Sequence, residues 1–269
     1  MLANPTMTAL SAIAALAPAV GGLSGDPSSR AISLLPITTV PTSGLSAEEV
    51  NRSIQLIDRV EDGSDFDEFR HRLWQAIQQR DAEFIYELLP AEGLFIGEAG
   101  PIAPSSLALE AADSPFWHSL EKMLAPQSCE LEDYPGSLPD AAVWGCPNIA
   151  SAVTQQLTSV EPSPFEQDEL DQVLIVGRGV NVRDRPTINT SVVGRLSNEM
   201  VEFNQTVWRE LRQNTPETTD DPIDGWTPVI LSNQVQGYVY NRYVYHPQGP
   251  RALFELIDGR WQLFRILID

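Results

Sequence analysis

The chain has 269 residues, with 37 acidic against 17 basic side chains and a net charge of −20. So acidic a chain repels nucleic-acid phosphates and anionic lipid headgroups, which argues against both as partners. The apolar share of 42% suits a chain that buries a core, and the length allows one large or two small domains. Lys122 is the only lysine.

Residues 1–44 form the first segment. Residues 7–20 are apolar and Ala-rich but too short to span a membrane, so no stable span is expected. They look like the apolar core of a secretory signal, with Ala17-Pro18-Ala19 as a cleavage pattern. Export to the periplasm or beyond is therefore expected. The basic start of such a signal is missing, and a cytoplasmic protein with an apolar tail is the alternative. Residues 21–44, rich in Gly, Ser, Pro and Thr, read as a linker.

Residues 45–170 carry helical periodicity and read as a helix-rich α+β domain. A first helix is expected over 45–60, with Ser46 as N-cap, Glu49 as its partner, and Val50, Ile54 and Ile57 on one face. A second starts at Ser64 with Asp67 in the partner position and a stripe of Phe66, Phe69, Leu73 and Ile77. Arg80-Asp81 interrupts it, and a short third helix runs through Phe84, Ile85, Leu88 and Leu89 to Pro90. A short strand is expected at 94–96. Ser114-Pro115 opens a further helix with Phe116, Trp117, Leu120 and Leu124 on its apolar face. Residues 129–147 read as loop-rich, and 160–170, acidic and broken by Pro, as a linker or boundary.

Cys129 and Cys146 are the only cysteines, and their spacing fits no zinc pattern. In an exported chain they form one disulfide, and a loop of about 17 residues stabilises by roughly 3 kcal/mol. In a reducing compartment they are two buried thiols.

From 171 the periodicity changes to short β-rich runs: 173–176, 180–182, 192–193, around Val201, 226–231 and 238–245. They predict a small all-β barrel over 171–246. Residues 247–269 form a hairpin around Asp258-Gly259. An isolated hairpin is marginal in water, so its strands are expected to rejoin the first domain.

The run from Gly179 to Pro186, with Asn181-Val182-Arg183, resembles the opening motif of bacterial Src-homology-3 domains. Val193-Gly194-Arg195-Leu196, Gly225-Trp226, Gly237-Tyr238 and Arg242-Tyr243 resemble its later landmarks in order. The resemblance covers about a quarter of the chain. Arg185 stands where the family has Gly, Tyr238 where it has Trp, and Asn198 where a Gly commonly precedes the third strand. Asn tolerates the positive φ needed there. The acidic segment 208–224 is longer than usual. With FDEFRHRLWQAIQQRDAEFIYELL from Phe66, SPFWHSLEKML from Ser114 and Gly259-Arg260-Trp261 in the late strand pair, the chain is also similar to exported cyanobacterial proteins of unassigned function that carry this barrel. Its helical start and closing hairpin are similar, at the level of fold, to nuclear-transport-factor-2-like domains.

Catalytic, metal and cofactor sites are not expected. His71, His118 and His246 have no partners at ligand spacing, and there is no nucleophile elbow or phosphate loop. Cell-wall peptidases with this barrel use Cys and His, which makes Cys146 a candidate nucleophile, but Pro147 follows it directly. Trp226, Tyr238, Tyr240 and Tyr243, with Tyr245 nearby, concentrate aromatic surface in the last barrel strands. Alternation makes Tyr238 and Tyr240 share one face, and Tyr243 and Tyr245 another. Arg183 offers a carboxylate anchor or an inter-strand salt bridge. The expected function is a binding protein whose barrel takes peptidoglycan, as the resemblance implies, or a protein or peptide partner. The alternative is an assembly protein whose barrel braces the α+β domain. A ligand-binding barrel should leave at least two of the aromatics exposed in a groove, whereas burial of Trp226, Tyr238, Tyr240 and Tyr243 together would favour bracing.

Overall fold

The computed structural model describes residues 53–98, 100–135, 141–157, 171–215 and 219–268. The signal-like segment, its linker, the Ser46–Glu49 capping pair and the 160–170 boundary lie outside the described residues. Residues 45–269 fall in one compact unit, and among the described residues its elements are five α-helices and two mostly antiparallel sheets, an α+β arrangement.

The expected first helix is not formed over its described part. Ser53 makes a β-bridge to Glu199, Ile54 is buried, and Ile57 is half exposed. Ile54 is pulled into contact with strands far along the chain, and this tertiary contact overrides the local periodicity.

Helix α1 (Asp65–Gln79) begins where its cap dictates. The Ser64 side chain accepts a hydrogen bond from the Asp67 N–H at 3.3 Å, and the Asp67 carboxylate accepts one from the Gly63 N–H at 3.0 Å. Phe66, Phe69, Leu73 and Ile77 are buried along one stripe. Arg80, left-handed at φ 56°, ends the helix, and Asp81 caps α2 (Ala82–Leu88). Helix α3 (Pro115–Leu124) starts at the Ser114 cap with Pro115 in its first turn. Its Trp117 is fully buried and donates from Nε1 to the Leu109 carbonyl at 3.1 Å.

The first sheet contains β1 (Phe95–Ile96), β2 (Glu130–Leu131), β3 (Val143–Cys146), β11 (Arg251–Ile257) and β12 (Arg260–Leu267). Their order is β1-β12-β11-β3-β2, with β1 parallel to β12 and the rest antiparallel. The final hairpin, turning on Asp258 (φ 49°) and Gly259 (φ 75°), thus lies at the centre of a sheet whose other strands come from 95–146. Rings of Phe66, Phe69, Trp144, Phe254 and Trp261 pack together beneath it at centroid distances of 4.8–6.1 Å. Residues 129–147 are therefore not all loop: β2 and β3 lie there, joined by the Cys129–Cys146 disulfide. Helix α4 (Ile149–Leu157) follows directly.

The second sheet contains β4 (Gln172–Ile175), β5 (Val180–Arg183), β6 (Val192–Leu196), β7 (Glu199–Phe203), β8 (Trp226–Ile230), β9 (Gln236–Tyr240) and β10 (Val244–Tyr245). Its order is β10-β4-β7-β8-β9-β5-β6. This is an open sheet, not a closed barrel: β10 and β6 are its edges, and β10 has only two residues. One face still buries a single core made by its own strands, including Val173, Val182, Leu196, Val229, Val239 and Val244. Expected strand 238–245 is split by a 3-10 turn at Asn241–Tyr243. Between β7 and β8 the acidic insertion contains α5 (Gln205–Asn214), capped by Asn204. Asn198 holds φ 50°, and its side chain accepts the Gly177 N–H at 2.7 Å.

The opposite face of β4, β7 and β10 packs on α4. Leu174, Met200 and Tyr245 meet Ile149, Ala152, Val153 and Ile54 in a third buried cluster.

Candidate functional site

Residues directly opposite in an antiparallel pair lie on one face. The register places Trp226 opposite Tyr240, Pro228 opposite Tyr238, and Arg183 opposite Tyr238 on the next strand. Thr227, Val229, Val239 and Val182 alternate with these and are buried, so they mark the core side. Trp226, Tyr240, Tyr238 and Arg183 therefore lie as a strip on the side of β8, β9 and β5 away from that core, with Pro228, which shares the side, buried between them. Trp226, Tyr238, Tyr240 and Arg183 are half-buried.

The strip is held by its neighbours. The Trp226 and Tyr240 rings pack at 5.3 Å between centroids, tilted by 54°. The Tyr240 hydroxyl donates to the Asp224 carboxylate, and the Arg242 guanidinium lies 5.9 Å from the Tyr240 ring centroid. Burial, then the Asp224 carboxylate, push the Tyr240 hydroxyl up to about 12, so it remains a donor at neutral pH. Among the described residues Arg183 pairs with no carboxylate. Its Nη1 donates to the Thr190 carbonyl at 2.7 Å and braces the loop after β5.

Tyr243 does not join the strip. The 3-10 turn carries it to the β10–β4 edge, where its ring packs over the Gly177 turn and is 39% exposed. Nor does it share a face with Tyr245, which is buried on α4. The four aromatics are thus not all buried, but the two exposed rings expected in a groove are not found: Trp226, Tyr238 and Tyr240 are half-buried and only Tyr243, off the strip, is exposed.

A pocket of about 260 Å³ opens beside the strip, between α3, α4, α5 and the loop before β8. Lys122, Ile149, Trp208, Asp221, Asn241 and Tyr245 are among its lining residues. Asn241 organises this wall. Its side chain accepts from the Thr227 hydroxyl at 2.7 Å and donates to the carbonyls of Asp221 (2.7 Å) and Thr219 (3.3 Å). Lys122 is 8% exposed, donates to the Asn241 carbonyl, and lies 3.7 Å from the Tyr245 ring centroid. Burial, then the Arg242 guanidinium, hold its ammonium well below the ordinary lysine range.

The loop at 219–224 connects the pocket to the strip. Asp221 pairs with the His118 Nδ1 at 2.8 Å, while Asp224 takes the Tyr240 hydroxyl. Burial raises the Asp221 carboxyl. Hydrogen bonds from the N–H groups of Asp224 and Ile223, and from His118, outweigh it and hold the group below its usual value. Ligand atoms of His118, Asp221 and Asp224 lie within 4.8 Å of one another, close enough to share a cation. Each already has a protein partner, and together they latch α3 to the loop.

The other candidates are dispersed. His71 contacts the carbonyl of Asp67 at 2.8 Å, one turn back on α1, and His246 packs edge-on against Phe203. Cys146 is bonded to Cys129. Lys122, Asn241 and Asp221 escaped the sequence reading. The one available signal was a sole lysine, in a chain with sixteen arginines, followed directly by Met123 and Leu124. Comparison with protein-family models, with curated proteins and with solved structures finds no match to the chain.

Proposed function

We propose that the chain is a non-catalytic, exported binding protein, and that residues 171–245 are a Src-homology-3-like module. Its ligand is peptidoglycan or a protein or peptide partner, docked on the outer strip of β8, β9 and β5. The carrying observation is that half-buried Trp226, Tyr240, Tyr238 and Arg183 share one side across three adjacent strands, around a buried Pro228. Half-buried aromatic rings with polar tips are rigid and amphipathic, which suits extended peptides, proline-rich segments and sugars. The landmarks of the resemblance also lie on strands: 180–183 on β5, 192–196 on β6, 226–230 on β8 and 236–240 on β9.

Sedimentation with purified peptidoglycan tests this reading. The wild-type chain is expected in the pellet, and Trp226→Ala is expected to release it. If neither form sediments and an immobilised proline-rich peptide retains neither, the strip is not a binding face.

The bracing role is supported by a different observation, the buried cluster that joins β4, β7 and β10 to α4. It uses the β10–β4–β7 end of the sheet and none of Trp226, Tyr238, Tyr240 or Arg183, so the two roles coexist. A peptidase role for Cys146 requires a thiolate, and its sulfur is committed to Cys129.

A further inference from the structure

The wall of the pocket holds an amine that no carboxylate of the described residues pairs with. Asp220 pairs with Arg212 at 2.9 Å, Asp221 with His118 at 2.8 Å, and Arg251 with Glu132 at 3.1 Å. Lys122 has no carboxylate within 4 Å among the described residues. The neighbouring Arg242 adds a second positive charge, and the carboxylate beside it, Glu121, is shared between Arg242 (3.6 Å) and Arg80 (3.4 Å). In a chain of net charge −20, the one lysine thus stands buried and unpaired in the wall of a pocket. A buried cation without a partner is costly and needs a compensating reason. The Asn241 carbonyl and the Tyr245 ring fix the ammonium in place, and an ammonium has three donors. Donor capacity remains for a ligand.

From this geometry we infer that the pocket is a binding site for a small organic acid, with its carboxylate on Lys122 and its apolar body against Trp208, Ile149 and Pro250. The size agrees. A cavity of about 150 Å³ takes benzene, so about 260 Å³ holds a ring of that size with a carboxylate attached. The remaining lining suits the apolar part, because Pro147, Pro222, Pro247 and Pro250 supply rigid walls without donors. The site is separate from the aromatic strip and stands whether or not the strip binds peptidoglycan.

The sole lysine makes the test direct. Chain labelled with ¹³C at lysine Cε gives one side-chain resonance, that of Lys122. Titration with sodium benzoate is expected to shift it saturably and to raise the pH at which the amine titrates. Benzamide, of the same shape but uncharged, is expected to bind at least about tenfold more weakly, because a charge-assisted hydrogen bond is lost. Lys122→Met is expected to remove this discrimination, with binding followed by calorimetry. The inference is overturned if benzoate leaves the resonance unmoved at millimolar concentration, or if both probes bind equally. The benzoate–benzamide comparison uses the wild-type chain, so it decides the matter even where the variant does not fold.

Discussion

Breaking the Cys129–Cys146 bond perturbs the first sheet at a definable place. The bond closes a separation of 17 residues, for which the chain-entropy relation gives about 3 kcal/mol. Residues 45–269 form one unit, and in a unit of that size 1 kcal/mol moves Tm by about 2–4 °C. Cys129→Ser/Cys146→Ser is therefore expected to melt about 6–12 °C below the oxidised chain in scanning calorimetry. The loss should also be local. The Arg59 N–H donates to the Cys129 carbonyl at 2.9 Å, and the Cys129 N–H to Asp58 at 3.1 Å. Exchange of these two amides should accelerate more than that of the β8 and β9 amides in the second sheet. A variant that melts within about 2 °C of the oxidised chain would refute the assignment of stability to this loop closure. So would uniform acceleration of exchange across both sheets.

Three further outcomes follow from the packing. Phe254→Ala removes a fully buried ring that contacts Phe66 and Phe69, and should cost about 3–5 kcal/mol in urea unfolding; a cost near 1 kcal/mol would mean that the aromatic cluster repacks. Asn198→Val should cost about 1–2 kcal/mol through its left-handed backbone, in addition to the lost bond to Gly177, whereas Asn198→Gly should lose only the bond; equal losses contradict the backbone argument. Lys122 makes stability depend on pH. Its folded value lies below the unfolded value of about 10.4, so between the two the unfolded chain binds more protons and stability rises with pH, by up to about 1.4 kcal/mol per pH unit. Below the folded value the penalty is complete and constant. Lys122→Met should therefore gain over wild type most below the folded value, with the gap closing as the pH rises towards 10; a gap independent of pH contradicts the burial argument.

The legible parts of the sequence were those where local chemistry and tertiary demand agree. Ser64 with Asp67, Ser114 with Pro115, and Asp258 with Gly259 each specify a turn or cap within four residues, and each forms as expected. The stripe of α1 faces the core because nothing competes for it. The illegible parts depend on distant partners. Ile54 fits a helix face by spacing, yet its place is fixed by Leu174, Met200 and Tyr245. The short strands β2 and β3 exist because β11 pairs with β3 more than a hundred residues later. Tyr238 and Tyr240 could be placed on one face by alternation, but the 3-10 turn at Asn241–Tyr243 broke the rule for Tyr243. The Lys122 pocket was beyond reach, since its walls come from α3, α4, α5 and the end of β9.

The central claim is that the outer face of β5, β8 and β9 is the binding face. Amide shifts of ¹⁵N-labelled chain, titrated with soluble peptidoglycan fragments and separately with a proline-rich peptide, test it most directly. At least one of these ligands should move the amides of Arg183, Trp226, Tyr238 and Tyr240 saturably, and leave those of α1 and β12 in place. Shifts confined to α4 or the first sheet, or no saturable shift with either ligand, would contradict the claim.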